Sequence, residues 1–185
     1  MTTTPLSIGI LLGSARKAAF STAVARAAID FAPEGTKLSL LPHPVSLPHY
    51  DQDLLDEGLP DSVATLAEAV RGCDAVLIVT PEYNWSFPGT LKNAVDWLSR
   101  LKPNPLEDKP AAIWTVSPGL LGGARAHEGL RHVLHSQGAR IFAKPEVQVG
   151  GAAAKVDVAA GQVTRAETKA FLQDHLKRFH DFSCK

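Results

Sequence analysis

Residues 75–99 read AVLIVTPEYNWSFPGTLKNAVDWLS and contain, in order, an apolar run, a loop and a helical pattern. The run Ala75–Thr80 is apolar and rich in β-branched residues, which predicts a buried strand. The apolar positions after the loop recur at the spacing of one helix face, and they are Leu91, Ala94, Val95 and Leu98. A buried strand followed by such a helix is typical of a parallel sheet.

The same alternation of strand and helix extends along the whole chain. The predicted strands are residues 6–12, 38–41, 75–80, 111–116 and a segment within 140–149. Apolar helix faces separate or follow them, with Ala25, Ala28, Ile29 and Ala32 in the first, Val63, Leu66, Ala67 and Val70 in the second, Leu130, Val133 and Leu134 in the fourth, and Leu172, Leu176 and Phe179 in the last. Residues 42–60 contain four prolines and predict a long loop, and the T-R-A-E pattern at 164–167 predicts a capping box that opens the last helix.

Five strands joined by helices predict an α/β fold of one domain spanning residues 1–185. The expected architecture is a flavodoxin-like three-layer sandwich, in which a five-stranded parallel sheet of order 2-1-3-4-5 has helices on both faces. In such sheets ligands bind at the carboxyl ends of the strands, where the strand order reverses. We therefore expect a site formed by the loops that follow strands one, three and four.

Composition excludes several classes of function. The chain has 185 residues, of which 45% are hydrophobic, and 19 Lys and Arg balance 19 Asp and Glu. This balance argues against a general nucleic-acid binder and against a polybasic membrane-surface protein. Cys73 and Cys184 are far apart, which argues against a disulfide framework and a cysteine zinc site. With no signal-peptide pattern and no apolar run of about 18 residues, we expect a cytoplasmic protein without a membrane span.

The loop after the first strand reads GSARKAAFS and leads into a helix. A helix N-terminus offers free N–H groups and a positive dipole end, which suit a phosphate. Gly13 permits a tight turn, Ser14 and Ser21 can donate hydroxyl hydrogen bonds, and Arg16 can bind phosphate oxygens in bidentate fashion. The loop matches neither the Walker nor the dinucleotide pattern. The alternative is a plain turn in which Arg16 and Lys17 are solvated.

The loop after the third strand, PEYNWSFPG, places three aromatic residues within five positions. A flat heteroaromatic ligand would supply stacking surface for these rings and polar edges for Asn84 and the backbone amides. The alternative is that Tyr83, Trp85 and Phe87 form a satellite core or a subunit contact. The glycine-rich loop SPGLLGG at 117–123 follows the fourth strand and would meet the other two loops at the same sheet edge.

The segment PEYNWSFPGTLKNAVDW at 81–97 resembles the signature P-E-Y-N-x-S-x-P-G-x-L-K-N-A-x-D-W of the NAD(P)H-dependent FMN reductase family. The similarity is to the branch that contains bacterial chromate and quinone reductases. Three further stretches fit this branch: GSARK at 13–17, SPGLLGGARAHEGLRHVL at 117–134 and KPEVQVGG at 144–151. The resemblance extends over residues 6–172.

The resemblance implies non-covalently bound FMN, NADPH or NADH as co-substrate, and a homodimer or homotetramer. The FMN-binding positions that it implies are Gly13, Ser14, Ala15, Arg16, Lys17, Phe20, Ser21, Pro81, Glu82, Tyr83, Asn84, Trp85 and Ser117. In tetrameric relatives, the positions of Arg125 and Glu146 contribute to subunit contacts. Where the family often reads R-K-G-S-F-N, this chain reads R-K-A-A-F-S, so Ala19 replaces a phosphate-binding serine and Ser21 an asparagine. A lost hydrogen bond to a charged group is worth about 1.5–3 kcal/mol, so we expect looser FMN binding.

The function expected from these observations is ping-pong hydride transfer from NAD(P)H through FMN to quinones, with chromate, azo or nitro compounds as further acceptors. No catalytic side chain is expected, because the flavin carries the chemistry. No metal is expected, since His132 and His135 have no completing carboxylate. One alternative is a flavodoxin-type electron carrier, although such carriers are acidic and this chain is neutral. The other is a flavin-free scaffold or binding protein, which Ala19 and Ser21 alone favour.

Overall fold

The apolar runs form a parallel sheet, in a computed structural model that describes residues 4–185. The strands are β1 (Leu6–Leu12), β2 (Thr36–Leu40), β3 (Ala75–Thr80), β4 (Pro110–Val116), β5 (Arg140–Ile141) and β6 (Val147–Val149). Their order is β2-β1-β3-β4-β5, and β6 also pairs with β4. Every pair in this sheet is parallel. The predicted order 2-1-3-4-5 is therefore confirmed.

Helices cover both faces of this sheet. They are α1 (Phe20–Asp30), α2 (Gln52–Glu57), α3 (Asp61–Arg71), α4 (Gly89–Ser99), α5 (Ala124–Ser136) and α6 (Ala166–Ser183). Apolar residues of α1 and α6 pack in the core on one face, and those of α3, α4 and α5 pack in the core on the other. Within β1, Ile10 belongs to the first core and Leu11 to the second, because successive side chains of a strand point to opposite faces. Burial on both faces explains why the strands are apolar throughout.

The predicted fifth strand is interrupted. β5 pairs with the start of β4, and β6 pairs with its end, so residues 142–146 leave the sheet edge between them. Pro145 lies in this interval, and proline cannot donate a backbone hydrogen bond to a strand ladder. The segment expected to form one strand therefore forms two short strands, β5 and β6, which are separated by residues outside the sheet.

The predicted capping box at 164–167 does not form. The N-cap residue of α6 is Arg165, and no side chain caps this end of the helix. The backbone N–H of Thr164 instead donates to the Lys155 carbonyl oxygen at 2.8 Å, beside a small hairpin of β7 (Val156–Asp157) and β8 (Gln162–Val163). This contact keeps Thr164 outside the helix, at a position where its hydroxyl does not serve as the cap.

The segment 42–60, which its proline content predicts to be a loop, contains two short helical segments. These are a 3₁₀ turn at Pro44–Ser46 and α2, whose N-cap Asp51 accepts a hydrogen bond from the Asp53 N–H at 2.9 Å. None of the helices in residues 4–185 is long and apolar enough to cross a membrane.

The carboxyl ends of β1, β3 and β4 lie side by side at one edge of the sheet, as their parallel pairing requires. Gly13, directly after β1, donates its N–H to the Val79 carbonyl oxygen at 3.0 Å. A Cβ atom at Gly13 would lie 2.1 Å from Thr80 Oγ1 and 2.6 Å from Thr80 Cβ. The first loop therefore passes so close to the end of β3 that only glycine fits there.

Candidate functional site

A cavity of about 290 Å³ lies at this edge of the sheet. The predicted site residues that line it are Ser14, Arg16, Phe20, Ser21, Pro81, Glu82, Tyr83 and Ser117. Ala19, Val116 and Pro118 line it as well, without having been predicted as binding residues. Five predicted residues belong to the same loops but do not line the cavity, and they are Gly13, Ala15, Lys17, Asn84 and Trp85. The three loops singled out from the sequence thus form one concave site.

The N-terminus of α1 points its free groups at this cavity. Its N-cap residue is Ala19, no side chain caps the helix, and its first turn contains no acidic residue. The hydroxyls of Ser21 and Thr22 are buried and have no hydrogen-bond partner among the residues that the structure describes. Buried hydroxyls without partners are rare in native proteins. Of the two residues, Ser21 lines the cavity and Thr22 does not. The Ser21 hydroxyl and the free N–H groups at the helix start therefore form a donor set that fits a phosphate.

Ser14 ties the first loop to its neighbours. It is 2% exposed, and its hydroxyl shares a hydrogen bond of 3.1 Å with the Tyr83 hydroxyl from the loop after β3. The same Ser14 oxygen accepts the Arg16 N–H at 3.3 Å. His43 Nε2 donates to the Ser14 carbonyl oxygen at 2.8 Å, which fixes the turn from outside. His43 lies far away in the sequence, and no local pattern connects it to this loop.

The segment Tyr83–Ser86 is a tight hairpin turn. Tyr83 and Ser86 exchange both backbone hydrogen bonds, at 2.8 and 3.0 Å. The central residues Asn84 and Trp85 have φ angles of 50° and 66°, the left-handed conformation of a type I′ turn. Asparagine adopts this conformation readily, but for tryptophan it is strained, and such strain is concentrated at functional sites. The turn presents Trp85 with its side chain 73% exposed.

Glu82 directs its carboxylate away from the turn and toward α5. Its Oε2 atom accepts the backbone N–H groups of Arg125 and Ala126 at 3.0 and 3.1 Å. The Arg125 guanidinium lies 4.0 Å from Glu82 Oε1 and is centred 4.1 Å from the middle of the Trp85 ring. Nothing in the local sequence links Glu82 to α5, because the two segments are more than 40 residues apart.

A larger groove of about 680 Å³ runs along the outer side of α5, where Arg125, Arg131, His132 and His135 line it. It does not include the residues at the carboxyl ends of the strands, so we assign the chemistry to the smaller cavity. Glu146 pairs with Arg131 beside this groove at 2.8 Å. Within residues 4–185, no group of three or more His, Cys, Asp or Glu side chains is arranged to hold a metal ion.

Comparisons with known proteins point to one family. The sequence model of a family described as NADPH-dependent FMN reductase matches residues 6–154. The chain is 44% identical to a quinone reductase of Escherichia coli over 96% of this chain and 95% of the relative. It is 36% identical to an NAD(P)H-dependent FMN reductase of Pseudomonas aeruginosa, over 89% of this chain and 88% of that protein.

Among solved structures, the fold superposes with a TM-score of 0.88 on FerB, a flavoenzyme NAD(P)H:(acceptor) oxidoreductase from Paracoccus denitrificans. The two chains are 35% identical, and the match covers 96% of this chain and 97% of the other.

Proposed function

The chain belongs to the NADPH-dependent FMN reductase family, and from this premise we propose that the cavity at the carboxyl edge of the sheet holds FMN and serves the reduction of quinones. The protein is an FMN-dependent NAD(P)H oxidoreductase with a flavodoxin-like fold. When bound, FMN supplies the hydride and electron transfer between NAD(P)H and the acceptor. The observation that supports this placement of FMN is the buried Ser21 hydroxyl, which lines the cavity at the N-terminus of α1 and has no hydrogen-bond partner among the described residues.

The residues of the first loop hold the phosphate end in this proposal. The Ser21 hydroxyl and the free N–H groups of α1 donate to phosphate oxygens, and Arg16 neutralises their charge. Gly13, Ala15 and Lys17 shape this loop without lining the cavity. A local site of this kind needs no surplus of positive charge elsewhere, which agrees with the neutral chain.

The loops after β3 and β4 hold the isoalloxazine ring system of FMN in this proposal. The cavity wall there includes Pro81, Tyr83 and Ser117, and the Asn84–Trp85 turn lies at the rim of the cavity. Because Tyr83 bonds to Ser14, the ring-binding turn and the phosphate loop keep a fixed separation. Backbone N–H groups of the turn that face the ring would stabilise negative charge on the reduced cofactor. In this proposal the nicotinamide and then the acceptor use the same face of the flavin ring in turn, which is a ping-pong scheme.

The proposed function is tested on the FMN-loaded protein by adding NADPH or NADH without oxygen. We expect the visible flavin absorbance to fall in one two-electron step and a naphthoquinone to restore it. Chromate, an azo dye and a nitroaromatic compound, added in turn, test the further acceptors. An FMN absorbance that neither NADPH nor NADH changes would contradict the proposal.

Changing Ala19 to serine tests the phosphate site. Ala19 is the N-cap residue of α1, makes no side-chain capping bond and lines the cavity. A serine there adds a donor for phosphate, so we expect FMN affinity to rise about 10-fold, a gain near the lower end of charged hydrogen bonds. It also supplies a cap, so the free energy of unfolding without FMN should rise by about 1 kcal/mol.

FMN titration and urea unfolding measure the two effects of Ala19→Ser. Ala18→Ser is the matched control, because Ala18 is the exposed neighbour and does not line the cavity. An Ala19→Ser protein that binds FMN no more tightly than wild type would rule out the phosphate placement.

We also propose that the chain forms a homodimer or homotetramer. Two neighbouring apolar side chains beside the site are exposed, Leu120 at 93% and Leu121 at 57%, and an interface between copies would bury them. Sedimentation equilibrium tests this, since a single species of 19.7 kDa would contradict it. The cysteines Cys73 and Cys184 are both free thiols, which is typical of the cytoplasm, where we propose that the enzyme acts.

A further inference from the structure

We infer that Glu82 is a positioning residue, whose carboxylate holds the flavin-side turn Tyr83–Ser86 against α5 and does not itself bind the flavin. The inference deepens the proposed function, and its prediction about FMN affinity rests on that function. Glu82 lines the cavity, and its position alone would equally suit a direct contact with the cofactor. The directions of its two carboxylate oxygens distinguish these roles.

The carboxylate supplies the cap that α5 lacks. The N-cap residue of α5 is Gly123, which has no side chain, and the first turn of the helix contains no acidic residue. Glu82 Oε2 accepts the N–H groups of Arg125 and Ala126, two of the donors that a helix start leaves free. An anion at this end of a helix is favoured further by the helix dipole. Glu82 Oε2 therefore bonds to α5, and it does not face the space proposed for the flavin.

The second carboxylate oxygen acts through Arg125. It lies 4.0 Å from the Arg125 guanidinium, which covers the Trp85 ring at 4.1 Å. A guanidinium at this distance attracts the face of an indole ring. Trp85 occupies a left-handed conformation that it would not adopt by itself, so the contacts that hold its ring also hold the turn.

The turn is therefore fixed from two sides. On one side, the Tyr83 hydroxyl bonds to Ser14 at 3.1 Å, and on the other, Glu82 bonds to α5. Both anchors lie at the start of the Tyr83–Ser86 turn, and the Arg125 guanidinium over the Trp85 ring holds its far side. The backbone of this turn is the segment proposed to face the flavin ring. Releasing the α5 side leaves a strained turn with one anchor, and we expect it to relax away from the geometry that binds the ring.

The experiment compares Glu82→Ala with Glu82→Gln. The glutamine retains an oxygen that accepts the two N–H groups, whereas alanine removes it. In FMN-free protein, amide hydrogen exchange at Arg125 and Ala126 should accelerate at least about 10-fold in Glu82→Ala and stay within about threefold of wild type in Glu82→Gln. Glu128→Gln is the matched control, because it makes the same Glu-to-Gln change at an exposed position of α5, the helix that Glu82 caps.

Two further readouts follow the turn itself. Trp97 and Trp114 are fully buried, so iodide quenching of the fluorescence of FMN-free protein reports on Trp85. Quenching should increase in Glu82→Ala, where the Arg125 stack is lost, and not in Glu82→Gln or Glu128→Gln. The dissociation constant of FMN should rise about 10-fold in Glu82→Ala and about threefold or less in Glu82→Gln.

The outcomes separate the possible roles. If Glu82→Gln loses as much FMN affinity as Glu82→Ala while its exchange and quenching stay at wild-type values, the carboxylate binds the flavin directly and the inference is wrong. Unchanged exchange, quenching and affinity in Glu82→Ala would overturn it equally. If wild-type protein binds no FMN, the proposed function fails, whereas exchange and quenching still decide whether Glu82 holds the turn.

Discussion

Replacing Gly13 with alanine is expected to lower the FMN affinity by at least about 100-fold and the free energy of unfolding by about 2–3 kcal/mol, at the upper end for overpacked sites. The new Cβ atom would lie 2.1 Å from Thr80 Oγ1, 2.6 Å from Thr80 Cβ and 3.1 Å from Thr80 Cα. The last of these is backbone of a central strand, which a rotamer change does not move. The first loop must therefore withdraw from β3, and the Ser14–Tyr83 bond is broken with it.

Urea unfolding and FMN titration measure these losses separately. Gly89→Ala is the control, because a Cβ atom there meets nothing within 4 Å and its φ is compatible with other residues. Since Gly89 lies in α4, alanine should leave the free energy of unfolding unchanged or raise it. Adding Thr80→Gly to Gly13→Ala removes the two closest atoms and should restore part of the affinity. A Gly13→Ala protein that binds FMN like wild type would show that the loops are not held this closely.

Acidification between pH 6.5 and about 4 is expected to destabilise the protein by about 3 kcal/mol through His175 alone. His175 is 1% exposed, and burial lowers its pKa from 6.5 to about 4, with the charges of His127 and Arg178 acting in the same direction. A contact with the Pro145 backbone and the charge of Asp174 partly oppose this shift of the pKa. The neutral ring also accepts the Trp114 indole N–H at Nδ1, at 3.1 Å.

The sign follows from which state binds the proton more readily. In the unfolded chain His175 is protonated below about pH 6.5, whereas in the folded protein it stays neutral down to about pH 4. Protonation therefore favours the unfolded state, and the stability present above pH 6.5 is lost as the pH falls toward 4. The pKa of His127 is also lowered by burial, so it adds to the loss in the same direction.

Denaturant unfolding across this pH range tests the prediction. His175→Gln keeps an acceptor for the Trp114 indole but does not titrate, so its stability should fall by about 3 kcal/mol less than that of wild type between pH 6.5 and 4. His132→Gln, which removes an exposed histidine of α5, is the matched histidine control. Parallel pH curves for wild type and His175→Gln would contradict the assignment.

The fold was predictable because strands that are buried on both faces of a sheet have continuous apolar sequences, such as Ala75–Thr80. The failures have local causes that the periodicity of apolar residues does not contain. Pro145, flanked by the charged residues Lys144 and Glu146, interrupts the segment between the residues that pair as β5 and β6. Thr164 has the sequence of a cap, but a hydrogen bond to Lys155 places it in another element.

The site was predictable to the level of loops, because parallel strands bring their carboxyl ends to one edge. The directions of side chains within the loops were not predictable. The carboxylate of Glu82 points to α5, and His43 reaches the first loop from a distant segment. The burial of the Ser21 hydroxyl without a partner among the described residues is likewise a property of the fold and not of the sequence.

The left-handed turn at Asn84 and Trp85 has a consequence for any selection that acts on stability alone. Asn-Gly is the pair that a type I′ turn prefers, and Trp85 stands where the glycine would be. A glycine there would relieve about 1–2 kcal/mol of backbone strain. Variants enriched for heat resistance should therefore drift toward Trp85→Gly and lose the exposed ring, unless turnover is screened at the same time. At position 85, selection for stability favours glycine, whereas the FMN binding proposed for this turn favours the tryptophan.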